Sequence, residues 1–148
     1  IFEYIIASGK TNIQNVIQTN GSYLRSKTVK NLLPYIKELR ISFDAGTAET
    51  YSKTRVNGNW YKLLENVKYI KEQIDSMGTN TVLTADFVVQ LDNYKEIPTF
   101  KNICNELGIT NINLQKMWNW GTWLDEEFQS KNVYTPEHPL YEDVKRHL

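Results

Sequence analysis

The chain has 148 residues, 41% hydrophobic and 12% aromatic, enough apolar material for one folded domain and too much for a disordered segment. Lys+Arg and Asp+Glu are both 17, giving a formal net charge of zero, which excludes the basic footprint of a nucleic-acid binder. No apolar run reaches the length of a membrane span, and the one cysteine, Cys104, excludes an internal disulfide framework and an all-cysteine metal cage.

The chain opens on IFEYII, which reads as the interior of a helix. Asn15–Thr19 (NVIQT) is a short β-prone run closed by the turn signal Asn20-Gly21. Next, Val29, Leu32, Leu33, Ile36 and Leu39 repeat with helical spacing, and Pro34 should kink that helix or divide it. Arg40–Asp44 reads as a strand. Trp60–Met77 carries the clearest helical stripe, with Gly78 placed to end it. TVLTADFVVQ is the longest strand; Asp92 or Asn93 is placed to cap a helix running to about Leu107. NINLQKM follows as a strand. An aromatic, polar tail contains Pro136 and Pro139 and ends in a helical YEDVKRHL. Both ends read as cut through helices, so the expectation is a piece of a longer protein. No signal peptide is visible, and one free cysteine suits a reducing, cytoplasmic setting.

Strict alternation of strand and helix predicts an α/β fold with about four parallel strands joined by right-handed crossovers. Four are too few to close an eight-stranded barrel, so part of an α/β sheet or barrel is expected. Residues 1–124 would form it, and 125–148 would extend from it. In such folds ligands bind beyond the carboxyl ends of the strands.

Alternation within each strand then assigns faces. Ile41 and Phe43 should face the helices, leaving Arg40, Ser42 and Asp44 on the inner face. Leu83, Ala85, Phe87 and Val89 face the helices; Thr84, Asp86, Val88 and Gln90 face inward. Ile112 and Leu114 oppose Asn113, Gln115 and Met117. The first strand is ambiguous between Gln18/Asn20 and Ile17/Thr19. Polar residues on so many inner positions imply a wet or ligand-filled cavity, a self-satisfying network, or an exposed face of an open sheet.

His138 and His147 have no metal-type partners at usual spacings. Cys104 sits on the apolar stripe with Ile97, Phe100 and Leu107 and reads as a core thiol. No dinucleotide or Walker A signature is present, and the G-x-S-x-G elbow is absent. Asp125, Glu126 and Glu127 read as a solvated loop or helix start. Trp118, Trp120 and Trp123, just past a strand end, suit either the wall of a substrate pocket or packing against another domain.

The ordered set T-N-G at Thr19–Gly21, R-I-S-F-D-A-G at Arg40–Gly46, then E-T-Y-S-K-T-R-V-N-G-N-W and L-L-E-N-V-K-Y-I-K resembles the radical S-adenosylmethionine superfamily, in its branch that often carries a C-terminal auxiliary-cluster (SPASM or twitch) domain. V-V-Q-L-D-N-Y-K-E-I-P and L-G-I-T-N-I-N-L-Q extend the resemblance over most of residues 12–120. It implies a partial (β/α)₆ barrel, in which a [4Fe–4S] cluster on a C-x-x-x-C-x-x-C loop cleaves S-adenosylmethionine and the resulting radical abstracts a substrate hydrogen. By position, it makes Thr19, Asn20 and Ser42 contacts to the methionine and ribose parts of that cofactor. Asp44 and Arg55 match the family's Asp and Arg, the arginine either pairing with the cofactor carboxylate or tying down the loop. Val88 and Gln115 fall where the family contacts the adenosine part.

The cluster motif is not in this chain, and Cys104 cannot replace several thiolates. The expectation is a fragment inactive by itself, with no catalytic residue and no metal ligand of its own. The substrate class is a small molecule or peptide, with no nucleic-acid or membrane partner, and exposed sheet edges offer self-association. Two rival readings are a fragment of another TIM-barrel enzyme, for which no phosphate loop is found, and a non-catalytic α/β binding or assembly module.

Overall fold

A computed structural model of the chain describes Tyr4, Ala7 and residues 15–148. Apart from Tyr4, the helix expected at IFEYII lies outside the described residues, as do residues 12–14 of the span that carries the family resemblance. Four strands, β1 (Asn15–Thr19), β2 (Ile36–Ser42), β3 (Val82–Val89) and β4 (Asn111–Lys116), form one sheet in the order β1-β2-β3-β4. All three pairings are parallel. The helices between them are α1 (Lys27–Leu32), α2 (Ala48–Thr54), α3 (Trp60–Met77) and α4 (Ile97–Glu106); α5 (Asp125–Lys131) and α6 (Tyr141–Lys145) follow β4. The expected α/β fold with four parallel strands is present.

Strand order equal to chain order has a consequence. Right-handed crossovers that always step the same way place every connecting helix on one face, as in an arc of a barrel. A doubly wound sheet would reverse direction and cover both faces. The core accordingly lies on one side: Leu39, Ile41, Phe43, Ala85, Phe87 and Val89 meet Leu63, Val67, Ile70, Ile97 and Phe100. Phe100 joins the layers, with ring centroids 5.5 Å from Phe43 and 4.7 Å from Phe87. No helix among the described residues is long and apolar enough to cross a membrane.

Local chemistry explains most boundaries. Ser26 Oγ accepts from Val29 N at 3.2 Å to start α1, and Asn59 Oδ1 accepts from Lys62 N at 2.9 Å to start α3. Gly78 ends α3 in the left-handed region at φ 60.

Two expectations need correction. The helical run expected to reach Leu39 stops at Leu32; a 3-10 turn, Leu33–Tyr35, takes Pro34 in its first turn, and β2 begins at Ile36. The misleading spacing has a physical source. The β1–β2 register slips between Asn15 and Val16, so that Asn15 pairs with Ile36 and Val16 with Glu38. The extra residue on β2 lets Ile36 and Leu39, three apart, both be buried. Neither Asp92 nor Asn93 caps α4, which a 3-10 turn at Tyr94–Glu96 precedes and whose start carries no side-chain cap.

The C-terminal stretch folds back onto the sheet. Leu91 N donates to Lys131 O at 2.9 Å, and Tyr94 Oη donates to Asp143 Oδ2 at 2.8 Å. Val133 and Val144 are fully buried in the same core.

Candidate functional site

The pairing Ile17↔Leu39 and Thr19↔Ile41 settles the first strand: Ile17 and Thr19 share the helix face, and Gln18 pairs with Arg40 on the other. The inner face is polar, as expected, and largely satisfies itself. Asp86 is its hub, 1% exposed. Arg40 meets it with two parallel hydrogen bonds, Nε to Oδ2 at 3.1 Å and an η nitrogen to Oδ1 at 2.6 Å. Asn113 Nδ2 and Gln115 Nε2 donate to the same Oδ1 at 2.7 and 2.9 Å. The hydrogen bond to Asp86 leads in pushing the Arg40 guanidinium above its ordinary pKa, against partial desolvation. Thr84 Oγ1 donates to Glu38 Oε1 at 2.6 Å lower on the same face.

At the carboxyl ends of β2 and β3 a second cluster forms. Asp44 is 5% exposed and takes φ 55, a left-handed conformation uncommon outside glycine. Its Oδ1 accepts from Val88 N at 2.7 Å, and its Oδ2 accepts from an η nitrogen of Arg55. Burial pushes the Asp44 carboxyl above its ordinary pKa, although Arg55 and the Val88 N–H both pull it down; Asp86 adds a smaller upward push. Asn93, 1% exposed, fastens the cluster from beneath. Its Nδ2 donates to Asp44 O at 3.0 Å and Val88 O at 2.8 Å, while its Oδ1 accepts from Gln90 N at 2.8 Å.

Ser42 stands between the two clusters. Its backbone pairs with that of Asp86, it is 7% exposed, and its hydroxyl has no hydrogen-bond partner among the described residues. Arg55 Nε is buried without an acceptor among the described residues.

The structure therefore brings Ser42, Asp44, Arg55, Val88 and Gln115 to one end of the sheet. Arg55 reaches back to Asp44 through an ion pair. Thr19 lies on the helix face, where its Oγ1 accepts from Gly21 N at 3.2 Å, and Asn20 Oδ1 accepts from Ser22 N at 3.1 Å. Those two residues shape the T-N-G turn and are not joined to Ser42 by any hydrogen bond among the described residues. Trp118 and Trp120 are 69% and 87% exposed. The intervening Asn119 pins their loop, donating to Trp123 O at 2.9 Å and accepting from Gly121 N at 3.0 Å. A cleft of about 750 Å³ lies elsewhere, between Glu126, Gln129, Asn132, Glu137 and His138, and shares none of the expected site residues.

The sequence patterns missed three residues as a site: Arg40, Asp86 and Asn93. Face alternation placed Arg40 and Asp86 correctly, but their contact depends on the β2–β3 register. Asn93 read as a helix cap because Asn is a common cap.

No protein-family model matches the chain, and no curated protein matches it significantly.

The donor set tests each cofactor the resemblance implies. Orphaned Ser42 and Arg55 Nε suit a polar ligand at the strand ends, so they fit part of S-adenosylmethionine. An iron–sulfur cluster does not fit. Cys104 is fully buried, burial pushes its thiol up to about 12, and no group of three His, Cys, Asp or Glu among the described residues is placed to hold a metal ion.

Proposed function

We propose that this chain is the central-to-C-terminal part of a radical S-adenosylmethionine enzyme and that its strand ends hold one side of that cofactor. The supporting observation is the buried Arg55 Nε without an acceptor at the fastened Asp44–Arg55 edge, with the unpartnered Ser42 hydroxyl two residues before Asp44. When bound, S-adenosylmethionine supplies radical hydrogen abstraction from the substrate. Ser42 would hydrogen-bond a ribose or methionine oxygen or nitrogen, and Arg55 Nε would meet the cofactor carboxylate. Val88 and Gln115, last on the inner face of β3 and β4, would flank the adenosine part. Asn20, with Thr19 shaping its turn, would approach the methionine end. Asp44 positions Arg55 and closes the Val88 N–H. The chain does not provide the cluster, so no redox step is assigned to its residues. The substrate is a small molecule or peptide, and the exposed Trp118 and Trp120 are the surface offered to it. The working compartment is the reducing cytoplasm.

Isothermal titration calorimetry with S-adenosylmethionine tests this. Saturable binding should weaken about tenfold in Ser42→Ala, the scale of one lost hydrogen bond to a polar ligand. Equal affinity in both proteins removes Ser42 from the site, and no binding in either removes the pocket from this chain.

The closed Arg40–Asp86–Asn113–Gln115 network favours a second reading, a non-catalytic assembly module, because a face that satisfies itself has less need of a ligand. Self-association would then use the open edges of β1 and β4. Sedimentation velocity would show a concentration-dependent oligomer, lost when a proline is placed at Val16.

A further inference from the structure

One carboxylate ties the start of α2 to the turn that precedes α4. Glu96 Oε2 accepts from Gly46 N at 2.7 Å, and its Oε1 accepts from the hydroxyls of Thr47 and Thr50 at 2.8 and 2.6 Å. Glu96 stands at the N-cap of α4, yet its side chain makes no capping bond to that helix. We infer that Glu96 is a positioning residue: it clamps the start of α2 and thereby places the Arg55 guanidinium at the strand ends.

A helix as short as α2 does not hold itself. It has 7 residues, and isolated helices are marginal below about 12–15, so its place is set by what grips it. Its middle rests on the core through Tyr51, whose ring centroid lies 5.3 Å from that of Trp60. Its far end is Arg55, whose N donates to Tyr51 O at 2.8 Å and whose side chain pairs with Asp44. Glu96 holds the near end. Three donors converge on it, and an ionised carboxylate meets them with two acceptor oxygens and no donor of its own. By giving its hydrogen to Glu96, the Thr47 hydroxyl keeps a lone pair for Thr50 N, which donates to it at 3.2 Å as the cap of α2.

The backbone is shaped for this contact. A Cβ at Gly46 would lie 2.9 Å from Glu96 O and 3.1 Å from Phe100 N, so glycine is what lets the loop approach the turn so closely. Asn93, three residues before Glu96, holds Asp44 O and Val88 O. The same connection therefore grips the β2–α2 loop twice, Asn93 on the Asp44 side and Glu96 on the helix side. Together they fix both partners of the Asp44–Arg55 pair, with Arg55 Nε left buried and without an acceptor among the described residues. That Arg55 then serves S-adenosylmethionine rests on the function proposed above; its placement by Glu96 does not.

The test reads the Arg55 Nε–H resonance by proton–nitrogen NMR of the full, ligand-free chain, assigned by its loss in Arg55→Lys. In Glu96→Ala that resonance should shift or exchange away while the amides of β3, β4 and α3 keep their positions. Thr50→Val keeps the side-chain shape, removes one of the three bonds and should move the resonance less, in the same direction. It carries the test should Glu96→Ala fail to fold. An unmoved Arg55 resonance in these variants overturns the inference. Calorimetry with S-adenosylmethionine then shows whether Glu96 acts through Arg55. Glu96→Ala should bind about tenfold more weakly than wild type, the scale of one polar contact, and should add no further loss in an Arg55→Met background. An undiminished effect in that background overturns the inference. A displaced Arg55 resonance with no binding by wild type leaves the placement standing and removes the cofactor.

Discussion

Asp44 and Arg55, eleven residues apart, join the end of β2 to the end of α2 through one ion pair whose carboxylate is buried and whose guanidinium is only partly so. Removing the arginine strands a buried negative charge. Arg55→Met should destabilise the fold by about 1–3 kcal/mol, below the full value for a buried pair because the Arg55 side chain is 33% exposed. Urea denaturation measures it. A loss under about 0.3 kcal/mol would show that solvent already compensates Asp44.

The same carboxyl gives a pH signature. Its folded-state pKa is raised above the ordinary 3.8, chiefly by burial. A raised carboxyl binds its proton more tightly when folded, so its contribution is fully present below 3.8 and is lost as pH rises through the folded value. The stability margin of wild type over Asp44→Asn should therefore shrink on going from acidic toward neutral pH. Paired denaturation curves across that range decide the matter. A margin that widens would mean that Arg55 and the Val88 N–H outweigh burial.

Asn93 makes a sharper structural prediction. Truncation to alanine leaves Asp44 O, Val88 O and Gln90 N without their side-chain partner. The expected loss is about 2–4 kcal/mol. Asn93→Asp should be at least as harmful, because it turns a carboxylate toward two carbonyls. Thermal melts of both variants are sufficient, and a benign Asn93→Asp would contradict the amide orientation.

Arg40 and Asp86 should couple. Either alanine variant alone breaks the fork, so a double-mutant cycle should return roughly 1–3 kcal/mol of interaction energy. Additivity within about 0.3 kcal/mol would mean that Asn113 and Gln115 hold Asp86 without the arginine.

Cys104 should be inert in the native state. A disulfide reagent such as Ellman's should label it only after denaturant is added, because a thiol buried with a pKa of about 12 offers almost no thiolate at neutral pH. Anaerobic treatment of the folded chain with iron and sulfide should leave no thiolate-to-iron charge-transfer absorption. A stable cluster on this chain would sink the fragment reading.

The strands show what patterns along a chain can carry. Ile41 and Phe43 against Ser42, and Ala85 and Phe87 against Asp86, announce their faces because side chains alternate with period two and only one face meets the helices. Trp60–Met77 announces itself as a helix because its apolar residues repeat at 3.6. Where β1 and β2 slip by one residue, Ile36 and Leu39 acquire a spacing that imitates a helix, and nothing nearby in the chain reveals it.

Residue types and local periods thus told which segments are strands and helices, that the strands run parallel, and that one face of the sheet is polar. They could not tell that Arg40 reaches Asp86 across 46 positions, or that Asn93 fastens two strand ends instead of capping a helix. Those facts depend on register and on how the loop after β3 lies against the end of β2. Both are set by the packing of the shared core, a sum of many weak contacts among residues distant along the chain.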